Sequence, residues 1–216
     1  EVELGLKDSG AEIFAIDLSF SVDSLKDKIS KIKTGNGTII HLIQSDIINS
    51  PIQDNLCDFV FSDGVIHHTR SVYEGLKGLT SKVSANGKCF VFVYSHDHKK
   101  ILDRITYHAY RIMRLLTLKI PHKLLHLFCY LLAPIHWCGI RIVNFILRKE
   151  KYKLRSIRET ELSIFDSLSP VYDWRTSYKD LSSWFKEFGY ANIKKTYHSH
   201  VGIGVLGTMN QDNKRN

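Results

Sequence analysis

Cys57-Asp58-Phe59-Val60-Phe61-Ser62-Asp63-Gly64-Val65-Ile66-His67-His68-Thr69 is the stretch that decides how the rest of the chain is read. An apolar β-type run over residues 59–62 stops at a polar residue and a glycine. Two histidines follow, where a helix can begin. Continuous apolar runs suit the strands of a parallel sheet with both faces covered. The carboxyl end of such a strand is where open α/β sheets place their ligands. Asp63, His67 and His68 therefore fall where chemistry would be done.

The same grammar extends on both sides. Residues 13–17 (Ile-Phe-Ala-Ile-Asp) read as a buried strand closed by a carboxylate, and residues 22–33 as an amphipathic helix ended by Gly35-Asn36-Gly37. Residues 38–44 are strand-like, residues 72–83 have helical spacing up to a turn near Asn86-Gly87, and residues 88–94 form a further strand. This alternation predicts parallel βαβ units in an α/β fold, a Rossmann-like, mostly parallel sheet. After residue 96 the pattern changes. Residues 99–150 are helical in composition, with interruptions expected at Pro121 and Pro134. A helix over 178–188 and two strands over 190–197 and 201–208 predict a C-terminal antiparallel hairpin, followed by a polar, disordered tail over 210–216.

The 216 residues make one domain's worth of chain, and a net charge of +8 is unevenly placed on it. Residues 97–155 hold 13 Lys/Arg against 3 Asp/Glu, a balance of +10, so the remainder carries −2. A uniformly basic nucleic-acid-binding protein does not read this way. Cys57, Cys89, Cys129 and Cys138 form no CxxC pair, which favours free thiols in a reducing compartment. No secretory signal is visible, so a cytoplasmic location is expected, peripheral to the membrane if the basic segment meets lipid.

Three predicted strands end in or just before carboxylates: Asp17, Asp46 and Asp63. An acid closing the second strand of a Rossmann-like unit can accept two hydrogen bonds from a ribose diol, though the same Asp17 could serve a turn. Asp46 could hold an adenine amino group or cap the turn that follows it. A neutral imidazole at His67 or His68 could take a proton from an acceptor hydroxyl, or could pack at the helix start. Tyr94, Tyr172 and Trp174 are candidates for an acceptor pocket and equally for core. His96-Asp97-His98 and His198-Ser199-His200 have no spaced cysteine partners, and no metal site is expected.

Ala15-Ile16-Asp17-Leu18-Ser19, Ile43-Gln44-Ser45-Asp46-Ile47 and the 58–69 stretch together resemble the class I S-adenosylmethionine-dependent methyltransferases, in particular the methyltransferase type 11 group. Residues 79–88 resemble that family's helix, turn and fifth strand, with Ser-Ala-Asn-Gly in place of its usual Pro-Gly-Gly turn. Residues 165–172 and 184–190 resemble the C-terminal part of a subgroup. The resemblance implies S-adenosylmethionine as cofactor, contacted by Asp17, Leu18, Asp46, Ile47, Ser62 and Asp63. It implies methyl transfer by in-line displacement to a small-molecule or lipid-linked acceptor at oxygen or carbon. Ser62-Asp63 stands in place of the Asn/Asp-Pro-Pro-aromatic box of amino-directed nucleic-acid methyltransferases, which disfavours nucleic acid. The family's first strand and Gly-rich loop are not found before Glu1. The expected reading is a domain lacking its first strand, with weakened cofactor binding.

The expected division is 1–96 as the cofactor side, 97–155 as a basic helical insert, 156–209 completing the first domain, and the 210–216 tail. Leu124 to Ile140 carries no formal charge, yet Pro134, His126, His136 and Trp137 break its apolar run, too short and broken for a spanning helix. Residues 99–153 suit a lid over the site or a helix pair lying against anionic lipid. Two rivals stand beside the enzyme: a non-catalytic membrane-associated interaction protein on a decayed scaffold, and a nicotinamide-dependent oxidoreductase using the Asp17 ribose site.

Overall fold

A computed structural model describes residues 6, 8–30, 35–96, 101–146, 155–198 and 201–211. The chain divides into two compact units, Glu1–Ser95 with Arg175–Asn216, and His96–Trp174.

The first unit holds six strands and three helices of the described residues: β1 (Glu12–Asp17), α1 (Ser21–Ser30), β2 (Ile39–Gln44), β3 (Cys57–Asp63), α2 (Val72–Thr80), β4 (Val83–Tyr94), then α6 (Tyr178–Glu187), β5 (Tyr190–His198) and β6 (Gly202–Met209). The strands form two sheets. β1 and β2 pair in parallel, Glu12 opposite Ile39 and Asp17 opposite Gln44. The other sheet has the order β3-β4-β6-β5, with β3 and β4 parallel and the remaining pairs antiparallel. Strand and helix alternation, the parallel pairs and the terminal hairpin match the Rossmann-like reading. Among the described residues no strand pairing joins the two sheets.

The core sits in the four-stranded half. Cys89, Val91 and Val93 of β4 and Ile203 and Val205 of β6 are fully buried on one face, against Leu76 of α2 and Leu181 and Phe185 of α6. Burial holds the Cys89 thiol protonated, far above its ordinary range. Tyr190 closes this core and donates from its hydroxyl to the Thr80 carbonyl at 3.0 Å. On the opposite face Phe61 stacks on Phe90 at 5.1 Å, and Gly202 and Gly204 leave room for the rings of Phe92 and Phe90. Phe59 and Phe61 are exposed on that face, so β3 is covered on one side rather than two. No residue of β1 or β2 is buried. Cys57 is half-buried, and Cys138 of the second unit is exposed.

Two boundaries differ from the sequence reading. α2 ends at Thr80, and Val83 already belongs to β4, paired with Cys57. β-Branched Val83 suits the pleated strand better than a helix end. The next β3 pair is Phe59 with Lys88, so Ser84 to Gly87 loop out as a bulge, with Asn86 at φ 63°. The expected turn is therefore an irregularity inside one long strand.

The second unit contains α3 (Ile101–Thr117), α4 (His122–Ile146) and α5 (Ile157–Leu168) among the described residues. α4 runs through Pro134 without stopping, a correction to the interrupted reading. Proline removes one backbone hydrogen bond and costs about 3 kcal/mol in a helix interior. On its N-terminal side Leu125, Cys129 and Ala133 are buried, the first two in one cluster with Leu168, Ile164 and Phe165 of α5, and one turn beyond it Trp137 Nε1 donates to the Arg155 carbonyl at 2.8 Å. Pro121 directly precedes α4, where its carbonyl accepts from Leu124 and Leu125. A capping box of Ser156 and Glu159 starts α5. Residues 97–100, 147–154 and 212–216 lie outside the described residues. Much of the expected tail, and part of each His-x-His run, therefore does too.

Gly78 of α2 should resist alanine even though alanine favours helix by about 1 kcal/mol. A Cβ there would lie 2.5 Å from the Ile47 carbonyl oxygen and 3.1 Å from Ile48 backbone atoms. Overpacking of this kind costs roughly 1–3 kcal/mol. Gly78→Ala is expected to lower the melting temperature of the first unit, whereas Gly139→Ala in α4, which meets nothing within 4 Å, should raise stability. Thermal unfolding of both variants checks the pair, and a raised melting temperature for Gly78→Ala would refute it.

Candidate cofactor and acceptor site

The carboxyl ends of β1, β2 and β3 carry the chemistry-bearing side chains. Asp17 closes β1 and stays exposed. Its Oδ1 accepts from the Ser19 backbone N–H and from the Ser19 hydroxyl, both at 2.7 Å, and Ser19 Oγ lies 2.8 Å from Ser21 Oγ. This turn fixes the carboxylate at the strand end while leaving it facing solvent. The Ser19–Ser21 support was missed in the sequence, although the Asp-x-Ser spacing is a turn signal. Leu18 beside it is exposed. The Ser45 N–H donates to the Asp17 carbonyl, which ties the ends of β1 and β2 together.

Asp46 is half-buried and caps the 3-10 turn Ile47–Asn49, accepting from Ile48 N–H at 2.9 Å. The capping alternative is thus observed for it. Ile47 packs on the core of the first unit, and its carbonyl approaches Gly78. Its side chain is half-buried.

At the end of β3, Ser62 is buried and its Oγ has no hydrogen-bond partner, while Asp63 is exposed. Gly64, at φ 75°, donates to the Phe92 carbonyl and turns the chain. The 3-10 turn Ile66–His68 then carries the histidine pair, and Ser71 caps α2 through Glu74 N–H.

His67 is 0% exposed, and neither ring nitrogen has a partner. Its ring lies 3.9 Å from Tyr94 and 4.1 Å from His68. Arg175 stands over the outer part of this stack, 5.5 Å from the Tyr94 ring. Burial first, then His68 and the Arg175 charge, lower the His67 pKa to about 3. An enclosed imidazole with that pKa is a poor base at neutral pH, which corrects its expected direct catalytic role. His68 is half-buried beside Tyr94. Tyr94 accepts from Thr176 N–H at its carbonyl, and Arg175 donates to the Ser95 carbonyl. Arg175 was not singled out in the sequence because it lies 81 residues from Tyr94 in the chain and only the fold makes them neighbours.

Tyr172 and Trp174 belong to the second unit, where their rings stack at 6.2 Å and both are exposed. Arg114 of α3 anchors that segment, donating to the Pro170 carbonyl at 2.6 Å and facing Asp173 at 3.8 Å. No group of three or more metal-ligating side chains occurs among the described residues.

Residues 3–91 match the family described as "Methyltransferase domain". That stretch is similar to the methyltransferase domain of class I enzymes. It spans the ends of β1, β2 and β3 that carry Asp17, Asp46 and Asp63, and S-adenosylmethionine is its cofactor. Two solved structures share the fold: a SAM-dependent methyltransferase from Methanosarcina mazei and the YcgJ protein from Bacillus subtilis. The first has 11% identity and a TM-score of 0.53 over 96% of this chain and 86% of that chain. The second has 9% identity and a TM-score of 0.53 over 92% of this chain and 82% of that chain. This chain spans only 42% of another matched structure, the CurJ carbon methyltransferase. No curated protein sequence matches.

The donor set fits the nucleoside part of the cofactor. An exposed, pre-oriented carboxylate at a β1 end suits a ribose diol, and the unpartnered Ser62 Oγ lies at the end of β3.

His67 gives the fold a pH dependence with a definite sign. Its native pKa lies below the unfolded value of about 6.5, so the unfolded chain binds the extra proton between about pH 6.5 and 3. Its contribution is fully present above pH 6.5 and falls as pH drops, by up to about 1.4 kcal/mol per pH unit. His67→Phe should remove this part of the loss. Urea unfolding at pH 7.5 and pH 5 measures it, and equal pH sensitivity of both proteins would show that His67 takes up a proton while folded.

Proposed function

We propose that this chain methylates a small-molecule or lipid-linked acceptor at oxygen or carbon. S-adenosylmethionine supplies an activated methyl group. The observation that carries the reading is the Asp17 carboxylate, oriented by Ser19 at an exposed strand end inside the matched methyltransferase domain.

In this reading Asp17 accepts from the ribose hydroxyls, with Leu18 lying along the nucleoside. Asp46 holds its turn in place and so positions the backbone near the base. Ser62 and Asp63 line the reacting end of the cofactor at β3. Methyl transfer depends mainly on alignment of donor and acceptor, so a rigid strand end and tight turn do much of the work. His68 is the group at this end that receives a proton from an acceptor hydroxyl. His67 supports it from the core by stacking between His68 and Tyr94. The Ser62-Asp63 pair at the strand end favours such acceptors over nucleobase amines. The free thiols and the basic second unit favour work in the cytoplasm, at or near a membrane surface.

Asp17→Ala is expected to weaken S-adenosylmethionine binding by about 1.5–3 kcal/mol, the range of a charge-assisted hydrogen bond. Asp17→Asn keeps an acceptor for Ser19 and removes the charge, so it should retain the turn and lose part of the affinity. Titration calorimetry of the three proteins separates these effects. Unchanged affinity in Asp17→Ala would remove Asp17 from the cofactor site.

A further inference from the structure

Helix α4 has two apolar faces, and among the described residues one of them is packed and the other exposed. Leu125, Cys129 and Ala133 form the buried stripe, toward α5. A second stripe consists of Leu124, Leu127, Leu131, Ile135, Ile142 and Phe145, each more than half exposed and Phe145 85% exposed. At 3.6 residues per turn these six positions fall within an arc of about 80° and run for roughly 32 Å. The stripe is therefore a continuous apolar ridge rather than scattered exposure. α4 is also, among the described residues, the helix long and apolar enough by composition to cross a bilayer.

The charge around the ridge indicates its partner. α4 contains no Asp or Glu. Lys123 and Arg141 share one flank of the ridge with Tyr130 and Trp137, and the Arg141 guanidinium lies 4.5 Å from the Trp137 ring. The surrounding segment 97–155 has a balance of +10. An apolar ridge edged by aromatic rings and cations matches an anionic lipid surface, where acyl chains meet phosphate groups. An acidic protein surface would satisfy the cations but leave the ridge in water.

The opposite face of α4 sets the orientation. It is packed on α5, and His126 reaches Glu161 of α5 at 3.1 Å while stacking on Phe165 at 3.9 Å. A spanning α4 would have to abandon these contacts or draw the carboxylates of α5 into hydrocarbon, which is costly. We infer that α4 lies in the plane of an anionic membrane surface, its Leu124–Phe145 ridge in the acyl boundary and its basic flank at the headgroups. This inference stands independently of the methyl-transfer reading.

Sedimentation of the full chain with vesicles tests it. Binding to vesicles of phosphatidylcholine with about one-third phosphatidylglycerol should exceed binding to phosphatidylcholine alone by roughly tenfold or more, and should fall as salt rises from about 50 to 500 mM. Leu131→Glu with Ile135→Glu should reduce binding at least tenfold, with circular dichroism and thermal unfolding unchanged because both side chains are exposed. An Ile135→Trp variant gives a second readout: the emission it adds should shift to the blue and be quenched by lipids brominated on the acyl chain. A chain that stays in the supernatant with anionic vesicles overturns the inference. So does added emission from the Ile135→Trp variant that brominated lipid leaves unquenched. Retention in the pellet after alkaline carbonate extraction also overturns it, because that would mark a spanning helix. A chain that ignores vesicles and forms dimers abolished by the Glu pair would assign the ridge to a second copy instead.

Discussion

The pairing of β4 on both of its edges holds the first unit together. β3 lies parallel on one side and β6 antiparallel on the other, so β4 has no open ladder along residues 88–92. Its side chains alternate as pairing demands. Cys89, Val91 and Val93 enter the helix-covered core, and Phe90 and Phe92 form the aromatic face. A shift of register by one residue would exchange these two sets. The small residues of β6 enforce the register further, since Gly202 and Gly204 are the positions that the Phe92 and Phe90 rings crowd. Everything at the end of β3 inherits its position from this pairing.

The candidate site is the consequence. Because β3 is held to β4, the turn after Asp63 is short and tight, and it drives His67 inward against Tyr94 instead of outward. The buried ring has unpartnered nitrogens, a cost the core bears at the end of β3. At β1 the constraint is local. Asp17 is oriented by hydrogen bonds two residues away, and no core packing is needed to place it.

The second unit obeys a different logic. Arg114, almost fully buried, holds the segment ahead of Trp174 through backbone carbonyls and Asp173. α4 uses one stripe for α5 and leaves another to its surroundings. Exposed apolar residues at helical spacing are costly in water, and the ridge on α4 carries that cost in this structure.

Sequence alone determined the alternation of strands and helices, the terminal hairpin, the acidic strand ends and the separate basic segment. These are periodicity and composition signals, and neighbours along the chain create them. Tertiary structure alone decided what depends on residues far apart. It began β4 at Val83, because Cys57 offers Val83 a partner 26 residues away. It carried α4 through Pro134, with the turns before the proline packed on α5 and Trp137 after it tied to the Arg155 carbonyl. It buried His67 and left His68 half-exposed, although the two adjacent histidines look identical in sequence. It also gave Asp46 a capping bond to Ile48 N–H and set Ile47 against the core. The chain's local chemistry names the candidates; the competition among distant partners for the same atoms selects between them.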